Sequence, residues 1–250
     1  MNYFGNYNTL GNYNHNYNHN HNHNNCNNIH NVKRVYSLNI NPLMWGPLQW
    51  NLLHEFAKYC SSLNSQNLDE TEENILKELK NIIKTLPYIL PCHACRKHCS
   101  NAYYDKKNTI IIKSCKDFKK WVWKMKSIVN GNTKSTTINY KQYNNRLITW
   151  SEFITEKQVI DLLFMVAYGY PRQQESESNR QEYFLTFFES VATLCKHIQH
   201  LTNINKLYED IQLIKKNNII WSNYTDVLNF INDFHNKLYK SRCNCEKFLI

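Results

Sequence analysis

Three cysteines and two histidines crowd residues 92–99, in the stretch LPYILPCHACRKHCS. Residue types of this kind support three chemistries. Cys92, Cys95 and Cys99, with His93 or His98, could ligate zinc. Cys92 and Cys95 could form a redox-active dithiol. The thiols could also be incidental neighbours. Structural zinc sites usually pair one C-x-x-C knuckle with a second pair a dozen or more residues away. Cys115 lies in range but is alone, and no metal site is assigned. The dithiol fits the local sequence better. Pro91 marks a helix start at Cys92, where unsatisfied N–H groups and the macrodipole stabilise a thiolate. Arg96 and Lys97 add positive charge. A C-x-x-C pair in such a place has one lowered thiol pKa and readily opens and closes a short disulfide.

The elements that must position this pair read as helices. Five glycines and five prolines in 250 residues leave few tight turns, which suits an all-α chain. In MWGPLQWNLLHEFAKYCSSL, Leu48, Leu52, Leu53, Phe56 and Tyr59 recur at helical spacing, with Pro47 in a first turn. A second helix is predicted over 72–86, with Ile75, Leu79, Ile82 and Ile83 on one face, and Pro87 and Pro91 break the chain after it. A third opens near Cys92. A fourth spans 114–130, carries Phe118, Trp121, Val122 and Met125, and ends at Gly131 as a C-cap. Together they make a four-helix bundle. Residues 131–150 read as polar linker, and three further helices are predicted over 155–169, 178–201 and 225–240. A thioredoxin-like site needs a strand before the motif and βαβ alternation, which the helical surroundings disfavour.

Composition narrows the function classes. The formal charge of +10 comes from lysines scattered through nearly every segment. No dense basic run with interleaved aromatics marks a nucleic-acid surface, so no nucleic-acid partner is expected. No membrane span and no secretory signal is expected either. Nine cysteines without such a signal point to metal binding, catalysis or a cytosolic redox system rather than a disulfide scaffold. Residues 1–38, rich in Asn, Tyr and His, cannot bury a core and are expected to be disordered. The expected domains are that tail, a helical bundle over 39–140, and a second helical region over 150–250 of unknown role.

A helical dithiol must pass its electrons onward, and no G-x-G-x-x-G phosphate loop is present. A cofactor held between helices by aromatics is the alternative. The ordered set Trp50-x-x-x-His54, then Cys92-x-x-Cys95, then Phe118-x-x-Trp121 resembles the Erv/ALR family of FAD-linked sulfhydryl oxidases. The opening MWGPLQWNLLH looks most like that family's viral, giant-DNA-virus-like branch. The resemblance covers residues 43–135. It implies a helical bundle cradling FAD beside the C-x-x-C, and a thiol oxidase that makes disulfides in substrate proteins and reduces molecular oxygen to hydrogen peroxide. It further implies Cys92 and Cys95 as the catalytic pair, with Cys95 nearest the flavin and Cys92 meeting incoming thiols. Trp50, His54, Tyr59, Cys95, Trp121 and Asn130 would contact the cofactor. A homodimer is also implied, and a viral setting would place the protein in host cytoplasm or in the virion.

This sequence departs from the family pattern at several positions. The family's His-Asn pair falls on Lys126 and Ser127, and a cysteine common two positions after the tryptophan is Trp123. A disulfide between Cys99 and Cys115 could stand in for the missing one. Cys243-x-Cys245 resembles the flexible shuttle arm of some family members. A Phe234-His235-Asn236 triplet echoing the flavin motif reads as coincidence. The rival readings are a catalytically weak binding or assembly module, and a zinc-binding Cys/His interaction protein.

Overall fold

A computed structural model of the protein describes residues 41–63, 70–104, 110–132, 136–151, 153–170 and 179–243. The expected disordered tail and Cys245 lie outside the described residues, and of Cys243 only the backbone is described. The described residues form nine α-helices and no strand, as the all-α reading expected. They belong to one compact unit.

Helix α1, Pro42–Ser62, starts where Asn41 accepts the Leu43 N–H at 3.0 Å, satisfying one orphan donor of the first turn. It therefore begins earlier than expected, and Pro47 lies inside it. Helix α2, Glu70–Ile89, buries Ile75, Leu79, Ile82, Leu86 and Ile89, an i, i+3, i+4 stripe facing the core. The expected stop at Leu86 is corrected. Pro87 removes only its own N–H donor, and the helix runs on to Ile89, with the Leu90 N–H bonded to the Leu86 carbonyl at 3.3 Å.

Helix α3, His93–Tyr104, opens directly after Cys92. Helix α4, Cys115–Asn132, is set by a reciprocal cap: Asp117 N–H donates to Ser114 Oγ at 3.2 Å, and Ser114 Oγ–H donates to Asp117 Oδ2 at 2.9 Å. Gly131 does not cap this helix. It lies within it, and no described glycine has positive φ.

The stretch expected as linker holds a fifth helix, α5, Tyr140–Thr149. Asn139 and Gln142 form a capping box, and Tyr143 and Leu147 are buried. Helix α6, Glu156–Tyr168, starts with the same device from Thr155 and Gln158. Helix α7, Arg180–Cys195, stops short of the expected 201. A 3-10 segment, Gln199–Asn205, follows, pinned to the start of α6 by His200 Nε2 at the Ile154 carbonyl and by Asn203 at Glu156. Asn and Thr side chains in that segment compete with helical backbone bonds. Helix α8, Lys206–Lys216, was not anticipated, although Leu207, Ile211 and Ile214 repeat at helical spacing. Helix α9, Tyr224–Cys243, packs on α6.

Helix α2 packs most extensively on α7, and α1 on α4. One continuous apolar core runs from Trp45 to Leu238. One close approach in it concerns the residue just before the C-x-x-C. A Cβ at Gly169, just past α6, would sit 2.7 Å from Pro91 Cα. Only a hydrogen fits there, so the end of α6 braces the backbone immediately before Cys92. Gly169→Ala should therefore lower stability by about 1–3 kcal/mol through overpacking, read as a lowered midpoint in urea at unchanged slope.

Candidate functional site

The site grows from the N-terminus of α3. Cys92 sits at the cap position, and its sulfur accepts the Cys95 backbone N–H at 3.2 Å, as a serine hydroxyl would at an ordinary helix cap. Cys92 and Cys95 are joined as a disulfide with their Cα atoms 5.1 Å apart. Cys92 is buried and Cys95 half-buried. Arg96 reaches back with Nη1 to donate to the Leu90 carbonyl at 2.8 Å. That bond fastens the turn carrying Pro91 and leaves a guanidinium one turn into the helix. Cationic groups and the positive end of the helix dipole both favour thiolates here.

Helix α1 supplies the aromatic wall. Trp50 and His54, one turn apart, stack with centroids 6.3 Å apart. Lys126 from α4 places its ammonium 4.9 Å from the Trp50 ring centroid, a cation–π contact. His54 is fully enclosed, and burial first, then the Lys126 charge, hold its pKa at about 3, so the imidazole is neutral. Its Nδ1 lies 3.1 Å from the Tyr143 hydroxyl. Burial raises the Tyr143 pKa well above the ordinary phenol range, so that O–H stays protonated and can donate to Nδ1. Burial also lowers Lys126 to about 8.

The other expected residues are distributed less tightly. Trp121 is buried on α4 and stacks with Phe118 at 6.3 Å. Asn130 donates to the Thr136 carbonyl at 3.0 Å, and Trp123 Nε1–H to the Ile138 carbonyl at 2.8 Å. These two bonds lay residues 136–139 along α4 and deliver α5 to His54. Tyr59 faces another way and stacks on His197 at 5.9 Å. Cys99 and Cys115 are both free thiols, so the bridge that could have stood in for the family's disulfide is not formed. Among the described residues no group of three or more His, Cys, Asp or Glu is gathered to hold a metal. Sequence reasoning missed Tyr143 and Lys126 as neighbours of the wall. The signal for Tyr143 was present in the Asn139-x-x-Gln142 capping box, which announces a helix.

Comparison with known proteins places this site in context. The sequence model of the Erv1 / Alr family matches residues 47–148, from α1 through α5. A FAD-linked sulfhydryl oxidase from a Kenyan pig isolate of African swine fever virus is 32% identical over 111 residues, covering 44% of this chain and 77% of that protein. Its counterpart from a Malawian tick isolate is 29% identical over 123 residues, covering 48% and 87%. No solved structure matches the chain.

The half-buried ammonium gives the site a pH signature. Below about pH 8 the native state carries the cost of keeping Lys126 charged in a desolvated place. As pH rises through 8 the native lysine sheds its proton, while the unfolded chain keeps its own up to the ordinary 10.5. Unfolding then takes up a proton, and this contribution to stability rises with pH across that window. Without its flavin, the wild type should gain on a Lys126→Met variant in thermal midpoint between pH 7.5 and 10 on this account. A constant difference across the window would refute it.

Proposed function

The chain belongs to the Erv1 / Alr family, and from that premise we propose that it is an FAD-dependent thiol oxidase that forms disulfides in substrate proteins through Cys92 and Cys95. The observation that carries this reading is the Cys92–Cys95 disulfide at the head of α3, in a chain whose viral relatives are FAD-linked sulfhydryl oxidases.

The residues present fit such a cofactor. An isoalloxazine ring presents hydrogen-bond donors and acceptors along one edge, and FAD carries an anionic pyrophosphate. On α1, Trp45 Nε1 and both amide atoms of Gln49 are buried without a hydrogen-bond partner among the described residues. Buried polar atoms left so are costly, and a bound polar ring edge would satisfy them. Trp50 offers a flat face with His54 stacked behind it, and Lys126 offers a cation for a phosphate. Trp50, His54, Cys95, Trp121 and Asn130 are the proposed holders, with Lys126 standing where the family has histidine; Tyr59, stacked on His197, would have to turn toward the site to join them. When bound, FAD supplies a two-electron acceptor whose electrons molecular oxygen then takes, giving hydrogen peroxide.

The chain's own sulfurs perform the exchange. A substrate thiolate attacks Cys92, forming a mixed disulfide and releasing Cys95 as a thiolate. The substrate's second thiolate then attacks its own mixed-disulfide sulfur and leaves as a disulfide, with Cys92 released. Two substrate S–H bonds are lost, and two thiols appear on α3. The Cys95 N–H bonded to the Cys92 sulfur stabilises the departing thiolate. Cys95 is the more open of the two residues, which accords with a place beside the flavin. Attack on Cys92 calls for local opening around Pro91. Cys243 and Cys245 are proposed as a shuttle on their C-x-C spacing alone, and a homodimer on the family resemblance.

Purified protein should carry a flavin absorption band near ~450 nm and consume oxygen with dithiothreitol. Cys95→Ser should reduce that consumption to the uncatalysed background while the band persists. A colourless protein holding stoichiometric zinc would sink the reading, as would a Cys95→Ser variant that turns over at the wild-type rate.

A further inference from the structure

The formal charge of +10 is laid unevenly along the chain. Residues 79–151, which hold the C-x-x-C and helices α3 to α5, carry fifteen Lys and Arg against two Asp. All other residues together carry fifteen Lys and Arg against eighteen Asp and Glu. Lysines recur through nearly every segment, but the acids thin out around the disulfide. The contrast sharpens close to it, because no Asp or Glu occurs between Glu78 and Asp105.

Along that interval α2 exposes Lys80 and Lys84. Helix α3, packed on α2, exposes His93, Ala94, Lys97 and His98, all within three residues of the half-buried Cys95. Lys80, Lys84 and Lys97 form no ion pair among the described residues. The two flanking acids described are already engaged. Glu78 Oε2 accepts the Ser190 hydroxyl at 2.7 Å and the Asn81 amide at 3.2 Å. Asp117 Oδ2 accepts the Lys113 N–H at 3.0 Å and the Ser114 hydroxyl at 2.9 Å. One exposed carboxylate comes from α7, where Glu182 adjoins Tyr183, whose ring stacks at 3.9 Å on Tyr88, four residues before Cys92. The cations outnumber it.

We propose that the exposed residues of α3, with Lys80 and Lys84 of α2, form a docking surface for thiol-bearing proteins whose cysteines lie among Asp and Glu. The proposal rests on the thiol oxidase reading above and names its substrate class. A partner thiol reaches a sulfur at the head of α3 only across the exposed residues of that helix and its neighbours. Charges of one sign around such a place raise the encounter rate of oppositely charged partners and turn away like-charged ones. Carboxylates flanking the substrate's cysteines pair with Lys80, Lys84 and Lys97, while a lysine-flanked segment is repelled. Exposed pairs of this kind act on encounter and on salt dependence more than on the lifetime of the complex. The exchange at Cys92 and Cys95 is unchanged. A small thiol such as dithiothreitol, with no charge besides its reacting sulfur, offers the surface little to select.

The test compares three short peptides on the full-length, flavin-loaded protein. Each has two cysteines at one fixed spacing, flanked by Asp and Glu, by Ser, or by Lys. At about 10 mM salt, where charges are felt over about 30 Å, kcat/KM for the acidic peptide should exceed that for the serine peptide by about tenfold, with the lysine peptide below both. At about 1 M salt the three should converge. Lys80→Glu with Lys84→Glu should erase the acidic preference and leave the dithiothreitol rate within about twofold of wild type. Lys206→Glu with Lys216→Glu, the same change of net charge on α8, should keep the preference. Equal rates for the three peptides at low salt, with dithiothreitol still oxidised, would overturn the docking surface and leave the oxidase reading intact. Loss of the preference in the α8 variant would do the same, since net charge alone would then explain it. Protein that oxidises neither dithiothreitol nor peptide would defeat the oxidase reading, and the substrate class with it. A labelled acidic peptide with serines for cysteines should bind wild type by fluorescence anisotropy and lose that binding in the α2 variant. A single-stranded oligonucleotide that binds under conditions where this peptide does not would assign the face to nucleic acid and overturn the proposal.

Discussion

The buried contact between His54 Nδ1 and the Tyr143 hydroxyl is the constraint on which the rest of the site depends. A histidine enclosed in an apolar core must be neutral and hydrogen-bonded, or its burial costs several kcal/mol. Satisfying it requires a partner brought from a distant part of the chain, and α5 exists in that place to bring it. The two bonds from Trp123 and Asn130 to the 136–139 segment aim α5. The next residues along α1 extend the same principle. Buried Glu55 accepts the Phe153 N–H at 2.6 Å, and Lys58 donates to the Ser151 carbonyl. Helices α4 and α1 thereby hold the chain at Thr136, Ile138, Tyr143, Ser151 and Phe153 by satisfying polar groups, while Trp50 and His54 stack one turn apart.

What could be read in the sequence follows from how local the physics is. The C-x-x-C after a proline, the Trp50–His54 turn and the apolar faces of α2 and α4 depend on neighbours within one or two turns, and they appear where expected. The rest was hidden because non-local terms decided it. α5 looks polar because only Tyr143 and Leu147 of its ten residues are buried, so its existence rests on a capping box rather than an apolar stripe. Pro87 carries the usual stop signal, yet the packing of α2 on α7 outweighs the one lost hydrogen bond. Lys126 departs from a family motif in sequence, and only the fold puts its ammonium on Trp50. Gly169 gives no sequence sign that its missing side chain makes room for Pro91.

That last contact bears on how the two helical stretches work together. The Cys92–Cys95 disulfide belongs to the first, but the backbone before it leans on the second, at Gly169 and through α2 on α7. The exchange proposed at Cys92 would need this turn to open locally and then return to one geometry. Fixing the turn from outside, with close backbone contact on one side and Arg96 on the Leu90 carbonyl on the other, keeps the α3 N–H groups aimed at the sulfurs. A role for the C-terminal helices in bracing the site follows without any chemistry of their own.

Access divides the two sulfurs at the start of α3. Cys92 caps that helix, and the Cys95 N–H at its sulfur adds to the unsatisfied N–H groups that favour thiolate there. Cys92 is buried, while Cys95 stays half open. A partner thiol directed to Cys92, as proposed, therefore meets a closed turn and depends on its local opening, whereas a group laid beside Cys95 needs no such opening. One electrostatic preference serves both sulfurs, and burial decides which of them is reached first.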